Sequence, residues 1–365
     1  MIYRAIGIMS GSSLDGMDMA YVIFNENGGQ WDFELKAAAC LPYTKEWSLA
    51  LQNAHQLTAR DYQLLHTAYG HYIGRQVNAF IDQFQLQYQI GLIASHGHTV
   101  FHLPSKMMTA QLGDGAAIAA ETLLPVVSDL RSLDIAFGGQ GAPIVPIGEK
   151  WLFSDYPLLL NIGGIANMTV NTAKPIAFDI CPANRVLNLL ANDAGKEFDE
   201  NGNMAAAGKL HQDLLNELNQ QAYYAQPFPK SLANDFGTDV IYPLIQSYQL
   251  FVEDALRTYV EHICMQLAAA LQKIDITKLP TGHLSMMITG GGAHHQFLVS
   301  RIQENLNDME IQIELPGDDI IDYKEALIMA FIGVLRWRQE YNVVSFATGA
   351  GRDSIGGALW LGGDA

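Results

Sequence analysis

Cysteine is scarce: Cys40, Cys181 and Cys264 are the only three in 365 residues, and no C-x-x-C pair occurs. An odd number at wide spacing argues against a disulfide framework or a cysteine-based zinc site and suits a reducing compartment. No run of about 18 apolar residues is present, so no membrane-spanning helix is expected. The stretch Met1–Ile8 lacks the apolar core and cleavage site of a signal peptide; it reads as a strand, and a cytoplasmic location is expected. Basic residues are also few. The formal charge is −17, which speaks against a nucleic-acid partner, because a phosphate backbone needs a basic footprint. A nucleotide is still allowed, since backbone N–H groups and Mg²⁺ can hold phosphates locally. Two phosphate signatures are missing as well. There is no G-x-x-x-x-G-K-[ST], and Gly113-Asp-Gly115 starts a G-x-G-x-x-G that reaches Ile118 where glycine is needed.

What is present suits large buried cores: 49% hydrophobic and 16% charged residues. The length fits two domains rather than one. Three strands open the chain, Tyr3–Met9, Met17–Phe24 and Trp31–Leu41, joined by turns short enough to make neighbours antiparallel. A helix at Ala59–Phe84, a strand at Gly91–Ser95, a helix at Asp114–Glu121 and a strand at Pro125–Ser128 follow. The pattern then restarts. Strands are expected at Leu158–Asn161, Ala166–Val170 and Ile176–Asp179, a helical stretch at Asp239–Gln272, a strand at Leu284–Thr289 and a last helix at Tyr323–Glu340. Two copies of one α/β unit are expected to face each other across a cleft: residues 1–140, and residues 141–365 with helical insertions. The stretch Gly138–Pro143 reads as either linker or site.

Three glycine-containing turns each follow a predicted strand. The first holds Gly11, Ser12, Ser13, Asp15 and Gly16, with Asp18 just beyond; small residues admit phosphates, and the carboxylates suit Mg²⁺. The second holds Gly163 and Gly164, the third Gly290, Gly291 and Gly292. Taken singly, each has an ordinary reading as a hairpin or strand-to-helix connection. Together, two strand–turn–strand phosphate loops and a later glycine loop for adenosine form the arrangement of actin-like ATPases. His96, His98 and His102 suggest a metal by spacing, but no partner completes a zinc set, and they read as polar cleft residues.

The chain resembles the 1,6-anhydro-N-acetylmuramic acid kinases of the hexokinase–actin–Hsp70 superfamily. The matching blocks are Ile8–Asp18, Ser95–His102, Gln111–Gly115, Gly138–Pro146, Asn161–Met168, Gly290–His294 and Lys324–Ala326, in family order over nearly the whole chain. The resemblance implies two actin-like (ribonuclease H-like) domains around a central cleft, ATP and Mg²⁺ as cofactors, and a homodimer. It implies that ATP phosphorylates O6 of the anhydro sugar while water opens the 1,6-anhydro ring. Asp179 matches the family base, in Phe178-Asp-Ile-Cys-Pro-Ala-Asn184, where the family has Phe-Asp-Thr-Gly-Pro-Gly-Asn. Its plain alternative is a carboxylate capping the helix that follows. Glu325 matches a second functional carboxylate, whose plain alternative is an exposed helical glutamate. Arg131 matches a sugar-site arginine suited to the lactyl carboxylate. Leu130 and Leu133 stand where the family has phenylalanine and a second arginine. His98 and Asn184 join Arg131 on the substrate side, Asp15 is the candidate Mg²⁺ ligand, and Lys230 is substrate-side or structural. A kinase for another sugar and a nucleotide-binding homologue without catalysis are the alternatives.

Overall fold

The computed structural model describes every residue except 12–13, 173–174, 229, 233–234, 275–278, 280–283 and 364–365. The chain forms two compact units, Met1–Phe153 with Tyr323–Ala365, and Ser154–Asp322.

In the first unit, β1 (Ile2–Ser10), β2 (Gly16–Asn27) and β3 (Gln30–Pro42) form an antiparallel meander. Next, β4 (Leu92–Ser95) pairs parallel to β1. The hairpin of β5 (His98–Leu103) and β6 (Met108–Leu112) stands apart, and β7 (Val126–Ser128) pairs parallel to β4. Ala5, Ile6 and Ile8 of β1 are all buried, as expected of a central strand covered on both faces. The helix Ala59–Gln83 crosses the helix Gly115–Thr122 closely through Gly70 and Gly74, where an added Cβ would lie 2.5 Å from Asp114 O and from Glu121 Cβ respectively.

In the second unit, β8 (Leu158–Ile162), β9 (Ile165–Val170) and β10 (Ile176–Pro182) form a meander again. Then β11 (Leu284–Thr289) pairs parallel to β8, and β12 (Ile311–Glu314) parallel to β11. The strand orders are β3-β2-β1-β4-β7 and β10-β9-β8-β11-β12, with β13 (Ala358–Trp360) added antiparallel to β7. Both sheets therefore read third-second-first-fourth-fifth with only the second strand reversed. The expected repeat of one actin-like unit is present. Each sheet has its own apolar core.

Two expectations are corrected. The division lies after Phe153 rather than Gln140, and residues 323–365 return to the first unit. The reason is the helix Asp318–Trp337: a Cβ on Gly7 of β1 would sit 1.8 Å from Ala326 O, and one on Gly148 would sit 2.6 Å from the Ile328 side chain. Backbones packed that tightly belong to one body. The helical stretch expected over Asp239–Gln272 is broken. A π-helical turn at Phe236–Ile241 leads into a helix at Tyr242–Ser247, and the main helix runs Val252–Gln272. Gln249 lies between them with φ +51°, a left-handed conformation that no right-handed helix can include.

Candidate functional site

The expected site residues divide between the units. Gly11, Asp15, Gly16, Asp18, His98, Arg131 and Glu325 lie in the first; Gly163, Gly164, Asp179, Asn184 and Gly290–Gly292 lie in the second. Ser12 and Ser13 lie outside the described residues.

In the first unit, β1 runs through to Ser10 and includes Gly7. At the turn, Asp15 Oδ1 accepts the Gly16 N–H at 2.9 Å, and Asp15 O accepts the Tyr43 N–H at 3.2 Å. Gly16 is already required by packing, since its Cβ would lie 2.6 Å from Cys40 Sγ. Asp18 sits in β2, opposite Met9 and Cys40. Ser10, at the last position of β1, has its hydroxyl 3.2 Å from His98 Nδ1 and 2.7 Å from the Tyr43 hydroxyl. Burial lowers the His98 imidazole to about 4, so it is neutral at physiological pH.

His96 lies outside the strands, and His98 opens β5. β4 ends at Ser95, and Gly97 turns the chain with φ +71°, where a Cβ would meet Leu112 O at 2.4 Å. His96 instead faces Arg131, whose Nε donates to His96 Nε2 at 2.7 Å. Its Nδ1 lies 2.7 Å from Gly97 O; a carbonyl only accepts, so Nδ1 carries the proton. Burial, then the Arg131 charge, hold this imidazole down at about 3. Arg131 also donates from Nη1 to Gly141 O at 2.7 Å. Asp134 accepts from the Gly141 N–H at 2.8 Å and from the Thr348 hydroxyl at 2.6 Å. Gly138–Pro143 is thus tied into the first unit beside Arg131 and is not a linker.

Glu325 is partly buried, not exposed. Burial raises its carboxyl, while Lys324 and Arg131 pull it down and Glu149 pushes it up. Beside it, the buried Lys324 Nζ donates to Glu149 Oε1 at 2.7 Å.

In the second unit, Asp179 lies at a bulge in β10. Its Oδ2 accepts the Leu232 N–H at 2.8 Å and the Ser231 hydroxyl at 3.2 Å. Among the described residues Oδ1 has no partner. The capping alternative therefore does not hold: the helix Asn184–Asp193 is capped by carbonyls. Gly164 O accepts the Ala183 N–H at 2.8 Å, and Gly163 O accepts the Asn184 N–H at 3.0 Å. Carbonyl and N–H oppose each other in a trans peptide, so the N–H groups of Gly164 and Ile165 point away from that helix. Burial raises the Asp179 carboxyl; the Leu232 and Ser231 hydrogen bonds lower it less.

Gly163 is not needed by the turn. Its φ is not positive, and a Cβ there would meet nothing closer than 3.6 Å. Gly290 is different: at φ +81° its Cβ would lie 2.7 Å from Asn161 Oδ1. Asn184 Nδ2 donates to Ile162 O at 3.0 Å, and its amide lies beside Gly291 and Gly292. Asn184 thus joins the second and third glycine turns. Next to them is a cavity of about 460 Å³ lined by residues including Asn184, Leu187, Phe198, Asn201, Gly291 and His294.

The family described as "Anhydro-N-acetylmuramic acid kinase" matches residues 3–362. The chain belongs to that family. It is 32% identical over 373 residues to the anhydro-N-acetylmuramic acid kinase of Hydrogenovibrio crunogenus, covering 97% of each chain. It is 33% identical to that of Francisella tularensis subsp. novicida, covering 94% of this chain and 95% of the relative. A solved structure, the activator of the 2-hydroxyisocaproyl-CoA dehydratase from Clostridium difficile with bound ADPNP, aligns over 92% of this chain and 96% of its own with a TM-score of 0.45 and 13% identity. As a member of the anhydro-N-acetylmuramic acid kinase family the chain is an ATP-dependent sugar kinase.

The departures from the family pattern after Asp179 fall inside the protein. Ile180, Cys181 and Ala183 are 2%, 0% and 0% exposed. They fill the core behind the bulge. Near Arg131, Leu130 is likewise buried, while Leu133 is exposed on the helix Ser132–Ala136.

What the motifs did not reveal is the holding structure. His96 carries Arg131, Ser231 and Leu232 hold Asp179, and Glu149 pairs with Lys324; each partner is distant in sequence. The signal available was a histidine or lysine without another explanation, as at His96 and Lys230.

Proposed function

We propose that this enzyme phosphorylates O6 of 1,6-anhydro-N-acetylmuramic acid with ATP while water opens the anhydro ring, giving N-acetylmuramic acid 6-phosphate and ADP. The observation that carries this reading is the Asp179 carboxylate. One oxygen is pinned by Leu232 and Ser231, the other is without a partner among the described residues, and burial raises its basicity. A base whose pKa is moved toward working pH is what water activation needs. Asp179 takes a proton from water as the hydroxyl adds to C1. The C1–O6 bond breaks, and O6 accepts the γ-phosphoryl as its bond to ADP breaks.

The Gly164 and Ile165 N–H groups and the open room over Gly163 suit a phosphate approaching backbone. The cavity beside Gly290–Gly292 is of nucleoside size, within the usual range of about 300–1,000 Å³. Arg131, with donors left over after His96 and Gly141, suits the lactyl carboxylate, and His98 and Asn184 belong with substrate binding. Glu325, its carboxyl raised by burial, is the second functional carboxylate.

Asp15 and Asp18 fit Mg²⁺ as oxygen donors at the first turn. The described residues contain no group of three or more metal-ligating side chains, and Mg²⁺ bound with a nucleotide needs only one or two carboxylates, the rest being water and phosphate. When bound it neutralises phosphate charge. Among the described residues no helix is long and apolar enough to cross a membrane; we place the enzyme in the cytoplasm, as a homodimer testable by light scattering.

The test is to incubate the protein with ATP, Mg²⁺ and the anhydro sugar. ADP and the 6-phosphate sugar in equal amounts are expected. Turnover only on another sugar, or ATP-dependent thermal stabilisation without any turnover, contradicts the proposal.

A further inference from the structure

Lys230, Ser231 and Leu232, beside Asp179, belong to no helix or strand. Something else must fix them, because two hydrogen bonds from such residues would not by themselves hold a carboxylate in one orientation. The Lys230 side chain supplies the anchor. Lys230 Nζ lies 4.3 Å from the centre of the Tyr223 ring, with the Phe228 and Tyr224 rings at 5.7 and 5.9 Å, and donates to Tyr223 O at 3.3 Å. Three rings around one ammonium form a cage. Phe228 stacks on Phe178, the residue before Asp179, with centroids 3.9 Å apart.

The connections close on Asp179 from both sides. The Tyr223 hydroxyl donates to Asp179 O at 2.8 Å, and the Asp179 N–H donates to Lys230 O at 3.0 Å. Side chain and backbone of Asp179 are thus fixed by one circuit through Tyr223, Lys230, Ser231 and Leu232. Fold stability alone does not call for a cation here. Lys273 stands close by, its Nζ donating to Tyr224 O at 3.1 Å, so two like charges converge on adjacent carbonyls among aromatic rings. An apolar side chain would fill such a place at less cost.

We propose that Lys230 is a positioning residue for Asp179: its caged ammonium fixes the segment whose Leu232 amide and Ser231 hydroxyl orient the carboxylate. This rests on Asp179 being the base. The other titratable groups facing Asp179 are Tyr223 and Cys181, with Tyr224, Lys230 and Lys273 behind them. Burial raises the Tyr223, Tyr224 and Cys181 groups well out of the working range, so of these neighbouring groups only Asp179 titrates on the acid side.

The test compares Lys230→Met and Lys230→Arg with the natural enzyme. In Lys230→Met, kcat falls by about ten- to a hundredfold. The acid limb of kcat/KM moves to higher pH, because both lost hydrogen bonds favour the ionised carboxylate. Thermal stabilisation by ATP is unchanged. Lys230→Arg recovers most of the rate, since a guanidinium also binds over aromatic faces. Should Lys230→Met not fold, Tyr223→Phe, which removes only the hydroxyl on the Asp179 carbonyl, is expected to lower kcat and move the limb in the same direction. An unchanged limb with kcat within about twofold, or a smaller active fraction at an unmoved limb, overturns the proposal. Asp179→Asn run alongside separates the two claims. If it stays active, the base assignment fails; if it is inactive while Lys230→Met behaves as the natural enzyme, only the role of Lys230 fails.

Discussion

The guanidinium of Arg131 rests on a neutral imidazole: its Nε donates to His96 Nε2 across 2.7 Å, and His96 is oriented in turn by Gly97 O. Because burial holds His96 at about 3, this acceptor persists throughout the working pH range. His96→Ala is therefore expected to leave Arg131 misdirected. KM for the anhydro sugar rises about tenfold while KM for ATP is unchanged. Steady-state kinetics with each substrate varied in turn checks this.

The second glycine turn separates a folding role from a ligand role. A Cβ at residue 163 enters open room, with no atom nearer than 3.6 Å, so Gly163→Ala should fold with an unchanged Tm. The same methyl group obstructs a phosphate approaching the backbone, and KM for ATP rises about tenfold. Differential scanning fluorimetry together with ATP titration reads both quantities.

Gly7 is predicted to behave in the opposite way. Its Cβ would lie 1.8 Å from Ala326 O, a backbone atom held within a long helix. Gly7→Ala costs about 3 kcal/mol of stability, seen as a lower urea midpoint, although Gly7 touches no ligand in this account.

Much of this was legible beforehand, for identifiable reasons. The strands β1 and β8 are mainly apolar runs followed by small residues, so both their type and the turns after them could be read locally. The same holds for Asp179, which sits in a recognisable block. The return of residues 323–365 to the first unit could not be read, because it depends on Gly7 and Gly148 meeting Ala326 and Ile328 at backbone distance. The pairing of His96 with Arg131 could not be read, because it depends on Gly97 turning the chain with a left-handed φ at a place where Leu112 O leaves no room for a Cβ. Lys230 stands out in the sequence, but its role does not, since its cage is assembled from residues 223, 224 and 228 folding back around it.

Stability should fall with acid through His262, which is 0% exposed and bonded to Asn219 and Tyr224. Burial lowers it to about 3 in the folded state. The unfolded chain takes up that proton near pH 6.5, so it binds more protons between about pH 6.5 and 3, and stability is lost as pH falls through that window. His262→Gln removes this term. The difference in Tm between natural enzyme and variant should narrow from pH 7 to pH 5.

The central claim is that Asp179 activates the water that opens the anhydro ring. The most direct measurement is turnover of ATP, Mg²⁺ and the anhydro sugar in ¹⁸O-water by the natural enzyme and by Asp179→Asn, with product examined by mass spectrometry. The natural enzyme should place one ¹⁸O at C1 of the 6-phosphate sugar. Its kcat/KM should decline on the acid side above the ordinary aspartate range, because the raised carboxyl must be ionised to act. The variant should bind ATP and form product at least about a hundredfold more slowly. Labelled product from Asp179→Asn at the natural rate would contradict the account.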